Sequence, residues 1–63
     1  MPEITRYEWR VVFRNSRMGF QKSYAVIAQD HTEAISEGYA ELRARNYLSE
    51  SFEVIELKRG RIA

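Results

Sequence analysis

Tyr24-Ala25-Val26-Ile27-Ala28-Gln29-Asp30-His31-Thr32-Glu33-Ala34-Ile35-Ser36-Glu37-Gly38-Tyr39-Ala40-Glu41-Leu42 changes its apolar period partway along. Tyr24, Val26 and Ala28 recur at every second residue, the spacing of one face of a strand, whereas Ala34, Ile35, Gly38 and Leu42 follow helical spacing. Between the two patterns Asp30 is followed three residues later by Glu33. An aspartate at the N-cap accepts the first free amides of a helix, and a glutamate at the third position reaches back to the cap amide. The pair therefore predicts a strand-to-helix corner at Asp30.

The helix is expected to begin after Asp30 and to continue to about Arg45 or Asn46. Glu33 and Glu37 lie early in it and Arg43 and Arg45 late, the charge order that the helix dipole favours. Ala34, Gly38 and Leu42 form one row, flanked by Ile35 and Tyr39, and this row is expected to face a sheet. A glycine inside a helix costs about 1 kcal/mol relative to alanine. Gly38 is thus expected where the helix backbone closes on a large ring, with Trp9 as the candidate; an exposed position that simply tolerates glycine is the other reading.

Upstream, Tyr7, Trp9, Val11 and Phe13 alternate with Arg6, Glu8, Arg10, Val12 and Arg14, which predicts a strand with one aromatic face. Asn15, Ser16, Arg17, Met18 and Gly19 are turn formers, so this strand and the run from Phe20 to Gln29 read as a hairpin with a five-residue loop. Ala25 and Ile27 fall on the face opposite Tyr24. Downstream, Ser49, Glu50 and Ser51 connect to a third strand, Phe52 to Lys58, in which either Phe52 and Val54 or Ile55 and Leu57 face the helix; we take the first pair. Gly60 to Ala63 is read as a loose end.

The order strand, strand, helix, strand predicts an α+β fold: a two-layer ββαβ sandwich, its three-stranded antiparallel sheet in the order 2-1-3 with one helix on one face. A single domain over 1–63 is expected, with an ordered core of about 5–58 and a short basic tail, 59–63. A domain of this length buries only about 60% of its unfolded surface. With no cysteine to cross-link it, a dimer interface is an expected supplement.

The lack of cysteine also removes thiolate catalysis and thiolate metal sites, and fits a reducing compartment. The segment Met1-Pro2-Glu3-Ile4-Thr5-Arg6 has no apolar core of the signal-peptide kind, and no run approaches the roughly 20 apolar residues of a membrane span. The expectation is a soluble, cytoplasmic protein. A net charge of +1 conceals segregation: Arg6, Arg10, Arg14, Arg17 and Lys22 stand against Glu3 and Glu8 in the first part, acids dominate residues 30–56, and Lys58, Arg59 and Arg61 follow. Such a dipolar surface steers charged partners.

No catalytic signature emerges. His31 is the sole histidine and stands at the first helical position; the serines lack a nucleophile-elbow context, and there is no glycine-rich phosphate loop. Glu33, Glu37 and Glu41 form a row that reads as a solvated helix face, tied in part by Glu41 to Arg45, with no ligand set for a hard cation. Neither an enzyme nor a cofactor, metal or small-molecule substrate is expected.

The expected site is the open sheet face. Arg10, Val12, Arg14, Ile27, Ile55 and Leu57 are assigned to it as contacts for a protein partner or a second copy, because an apolar patch on so small a domain marks a contact surface. The alternative is RNA or DNA binding through Arg6, Arg10, Arg14, Arg17, Lys22, Lys58, Arg59 and Arg61, since the arginine fork suits phosphate. A third reading pairs the strand arginines with Glu8, Glu53 or Glu56 across the sheet. The pI near 8.1 lies below the range above 9 typical of a strong nucleic-acid footprint.

Two resemblances accompany these readings. Over residues 6–58 the layout, with Tyr39, Ala40, Glu41 and Leu42 at the helix end, resembles the archaeal large-subunit ribosomal protein LX family and its eukaryotic relatives, which implies binding to ribosomal RNA. The basic segment of that family between helix and last strand is replaced here by Asn46, Tyr47, Leu48, Ser49, Glu50 and Ser51. The hairpin, the corner carrying Val26, Gln29, Glu33 and Ala34, and the final strand also resemble small phage-encoded anti-CRISPR proteins. That likeness implies an inhibitor that occupies a site on a host complex.

Overall fold

The computed structural model describes residues 3–63; Met1 and Pro2, the start of the segment read above for a leader, lie outside the described residues. The elements are β1 (Tyr7–Asn15), β2 (Gln21–Ala28), α1 (His31–Ala44), a 3₁₀ turn (Ser49–Ser51) and β3 (Phe52–Ile62). They form a three-stranded antiparallel sheet in the order β2-β1-β3 with one helix, the expected ββαβ layout.

Each boundary has a local cause. Gly19, at φ 77°, lets the hairpin reverse, and the Asn15 side chain accepts hydrogen bonds from the Arg17 and Met18 amides at 3.0 and 2.8 Å. At the corner, Asp30 Oδ1 accepts from the Glu33 amide at 2.8 Å; one half of the reciprocal capping pair is made. The helix closes on Asn46, at φ 64°, where the Asn46 amide donates to the Arg43 carbonyl and the Tyr47 amide to that of Leu42. Asparagine tolerates the left-handed conformation that this closure requires.

Val11, Phe13, Val26, Ala28, Ala34, Leu42 and Phe52 make the core between helix and sheet. The row Ala34, Gly38, Leu42 is its helical side. The ring under Gly38 is Phe13, not Trp9: a Cβ at Gly38 would meet Phe13 and Val11, whereas the Trp9 indole N–H donates to the Ala28 carbonyl at 2.9 Å. Phe13 is the residue at the level where the helix crosses the central strand.

The third strand departs from a simple two-residue beat. Phe13 pairs with Val54 but Val12 pairs with Glu56, so Ile55 is an extra residue, a bulge. The bulge resets the alternation, and Leu57, opposite Val11, turns to the helix side and packs on the core. The expectation that Leu57 lies on the open face is thereby corrected. A second irregularity sets Gly60 and Arg61 against Glu8, between the Trp9–Arg59 and Tyr7–Ile62 pairs. The segment 59–63 is accordingly not a loose tail: β3 runs to Ile62, and the Ala63 amide donates to the Arg6 carbonyl at 2.9 Å. Two irregularities and the charges of Lys58, Arg59 and Arg61 on an edge strand discourage edge-to-edge pairing.

Candidate interaction face

The helix covers one side of the sheet and leans toward β2. Strand alternation and the two register shifts decide what the other side carries. From one end to the other, four levels stack along the strands: Ile27, Glu8 and Gly60 with Arg61; Ala25, Arg10 and Lys58; Ser23, Val12 and Ile55 with Glu56; Gln21, Arg14 and Glu53.

Arg10, Val12, Arg14, Ile27 and Ile55 therefore share this face, while Leu57 does not. Ile27 and Ile55 are 56% and 44% exposed, but Val12 is only 9% exposed, at the floor of a depression lined by Arg10, Gln21, Ser23, Ile55 and Glu56. A second depression of about 430 Å³ lies alongside, between Glu8, Arg10, Ser23, Ala25, Lys58 and Gly60. Arg10 borders both. The face is a mosaic of charge and isolated aliphatics rather than a continuous apolar sheet.

The arginines do not take the cross-strand partners that one reading gave them. Among the described residues the one ion pair within 4.0 Å joins Arg45 to Glu41 on the helix, and the hydrogen-bonded Glu41 carboxylate holds the Arg45 guanidinium above its usual pKa. Arg10 Nε instead donates to Ser23 Oγ at 3.1 Å. Arg10 also stands directly opposite Lys58, a like-charge pair across neighbouring strands. Such pairs destabilise a sheet.

The alternative basic set is divided. Arg10, Arg14, Lys58 and Arg61 lie on the open face, and Arg17 is in the hairpin turn. Lys22 and Arg59 occupy helix-side positions: Lys22 Nζ is 5.4 Å from the Tyr47 ring centroid and 5.7 Å from that of Phe20, and the Arg59 guanidinium is 4.7 Å from that of Tyr7. Arg6 precedes β1, its carbonyl bound by Ala63. Alternation could not place Glu56, Arg59 or Arg61, because they follow the first register shift in β3, whereas Glu53 precedes it and lies opposite Arg14 as alternation from Phe52 requires; Gly60 was the one residue in the sequence marking an irregularity there.

The aromatic rings gather on the other side. Phe13, Tyr24 and Tyr39 form one group of contacting rings and Phe20, Tyr47 and Phe52 a second, with centroids 4.9–6.5 Å apart within the groups, and Tyr7 and Trp9 share the helix side of β1. The open face presents no ring.

No helix among the described residues is long and apolar enough to cross a membrane, and no group of three or more His, Asp or Glu side chains there is placed to hold a metal ion. Fold and face together define a small α+β domain with one helix and one uncovered sheet face. Compared with protein-family models, curated proteins and solved structures, the chain matches none of them.

Proposed function

We propose that this chain is a non-enzymatic interaction module that docks on a protein surface through the open face of its sheet. Arg10, Arg14 and Lys58 supply charge complementarity, and Ile27 and Ile55 supply apolar contacts. The observation that carries the reading is the makeup of that face: cations without ion-pair partners among the described residues beside exposed isoleucines, with acids interspersed and no aromatic ring there. An inhibitor or regulator that occupies a site on a larger complex works by this chemistry.

Nucleic-acid binding is the second reading, favoured by the juxtaposed Arg10 and Lys58. Against it, sequence-tolerant recognition of single strands uses exposed rings for base stacking, and Glu8, Glu53 and Glu56 on the same face repel phosphate. The test is a titration with mixed-sequence oligonucleotides at low and moderate salt, beside affinity recovery by the wild type and by Arg10→Glu and Ile55→Asp variants. The docking reading expects no oligonucleotide binding, and a bound protein that both face variants lose while a helix variant, Glu37→Lys, keeps it. Oligonucleotide binding that weakens steeply with salt would overturn it.

A further inference from the structure

The order of charges on the open face is complementary to its own reversal. Along β1 the outward positions read Glu8, Arg10, Val12, Arg14, and along β3, level with them, Arg61, Lys58, Glu56, Glu53. Let a second copy be laid on the face by a two-fold axis in the interface, perpendicular to the strands and level with Val11. Glu8 then meets Arg14, Arg61 meets Glu53 and Lys58 meets Glu56, each pair occurring twice. Arg10 lies over Val12, beside that same Glu56.

We infer that the partner of this face is a second copy of the chain, in an isologous face-to-face dimer with its strands antiparallel across the interface. The inference rests on the docking reading above and names the occupant. Three features of the face favour a copy over a strongly charged partner. Its four cations and three acids nearly balance. The Arg10–Lys58 juxtaposition, unfavourable in one chain, is relieved by Glu56 of the second copy. The alternative two-fold axis, along β1, sets Glu8, Arg10 and Arg14 each against its own image, which is repulsive at all three charged positions of that strand, and lays the uncharged β2 positions over β3, so no opposite charges meet. Stacked sheets lie about 10 Å apart at an angle near 30°. At roughly 10 Å from the axis that angle shifts residues by about 5 Å, within the reach of Arg and Glu side chains.

Three strands about 4.8 Å apart and a stretch of roughly 25 Å give a face near 400 Å² in projection per copy. An interface of that extent lies at the low end of specific association. The dimer is therefore weak and salt-sensitive, read by sedimentation equilibrium at low salt over a range of concentrations up to about 1 mM.

Charge reversal tests the axis itself. Glu8→Arg and Arg14→Glu, each alone, place like charges together twice and should weaken self-association by about tenfold or more. An equimolar mixture of the two variants, and the double variant in one chain, restore opposite charges at every such contact and should dimerise like the wild type. Lys58→Glu and Glu56→Lys form an independent second set with the same expectation, and circular dichroism checks that each variant is folded. A wild type that stays monomeric, or single variants that dimerise unchanged, or mixtures that fail to restore the dimer, overturn the inference. If the wild type is monomeric yet the face variants lose a different bound protein, the second copy is wrong and docking stands. If the face binds oligonucleotides instead, both fail.

Discussion

Gly38 and Phe13 are packed so closely that no side chain fits between helix and sheet at that point: a Cβ on Gly38 would lie 2.8 Å from Phe13 Cζ and 2.9 Å from Cε2. The Phe13 ring has no room to retreat. It is fully buried, with the Tyr39 and Tyr24 rings 4.9 and 6.1 Å away, centroid to centroid. Gly38→Ala gains about 1 kcal/mol of helix propensity but overpacks a core, which typically costs 1–3 kcal/mol. The expected net effect is destabilisation by about 1 kcal/mol in urea denaturation. In a Phe13→Leu background the same change should cost less than in the wild type, because the two ring atoms it meets are gone and only the Val11 Cγ1 contact at 3.2 Å remains. A rise in the wild-type midpoint would show that the close approach is not what the glycine serves.

Lys58→Glu should separate fold from function. Opposite Arg10 it replaces a like-charge pair with an opposite one, a change worth about 0.2–1 kcal/mol toward stability. Thermal denaturation is expected to show a higher midpoint at low salt, with the gain shrinking as salt rises. Self-association of the same variant should weaken.

Leu57 and Ile55 differ in role although they are two residues apart. Leu57 packs on the core and Ile55 points into solvent. Leu57→Ala is expected to lower stability by about 1–2 kcal/mol, and Ile55→Ala to leave it within about 0.5 kcal/mol. Equal losses in urea denaturation would contradict the bulge between them.

The two tyrosines that flank Phe13 make opposite predictions. The Tyr39 hydroxyl donates to the Phe52 carbonyl at 3.3 Å, so Tyr39→Phe should cost about 0.5–1 kcal/mol. The Tyr24 hydroxyl is buried without a hydrogen-bond partner among the described residues, and the Arg45 guanidinium lies 4.8 Å from its ring centroid. Tyr24→Phe keeps the ring and removes the unpaired group, so stability should hold or rise by up to about 1 kcal/mol. Paired denaturation curves decide between these outcomes.

The residues from Tyr24 to Leu42 determined the corner, the helix and the row it buries, because N-capping and apolar periodicity act over three or four residues and need no distant partner. The alternation of β1 likewise determined that Arg10, Val12 and Arg14 share a face. Only the tertiary structure decided which ring lies beneath Gly38, that Leu57 turns inward while Ile55 stays out, and that residues 59–62 complete the sheet. Those outcomes depend on how β3 pairs with β1. A bulge shifts every later side chain to the other face, and nothing within β3 itself states how many of its residues oppose each residue of its neighbour. The charge order of the open face follows from that register, so it too became legible only once the strands were paired.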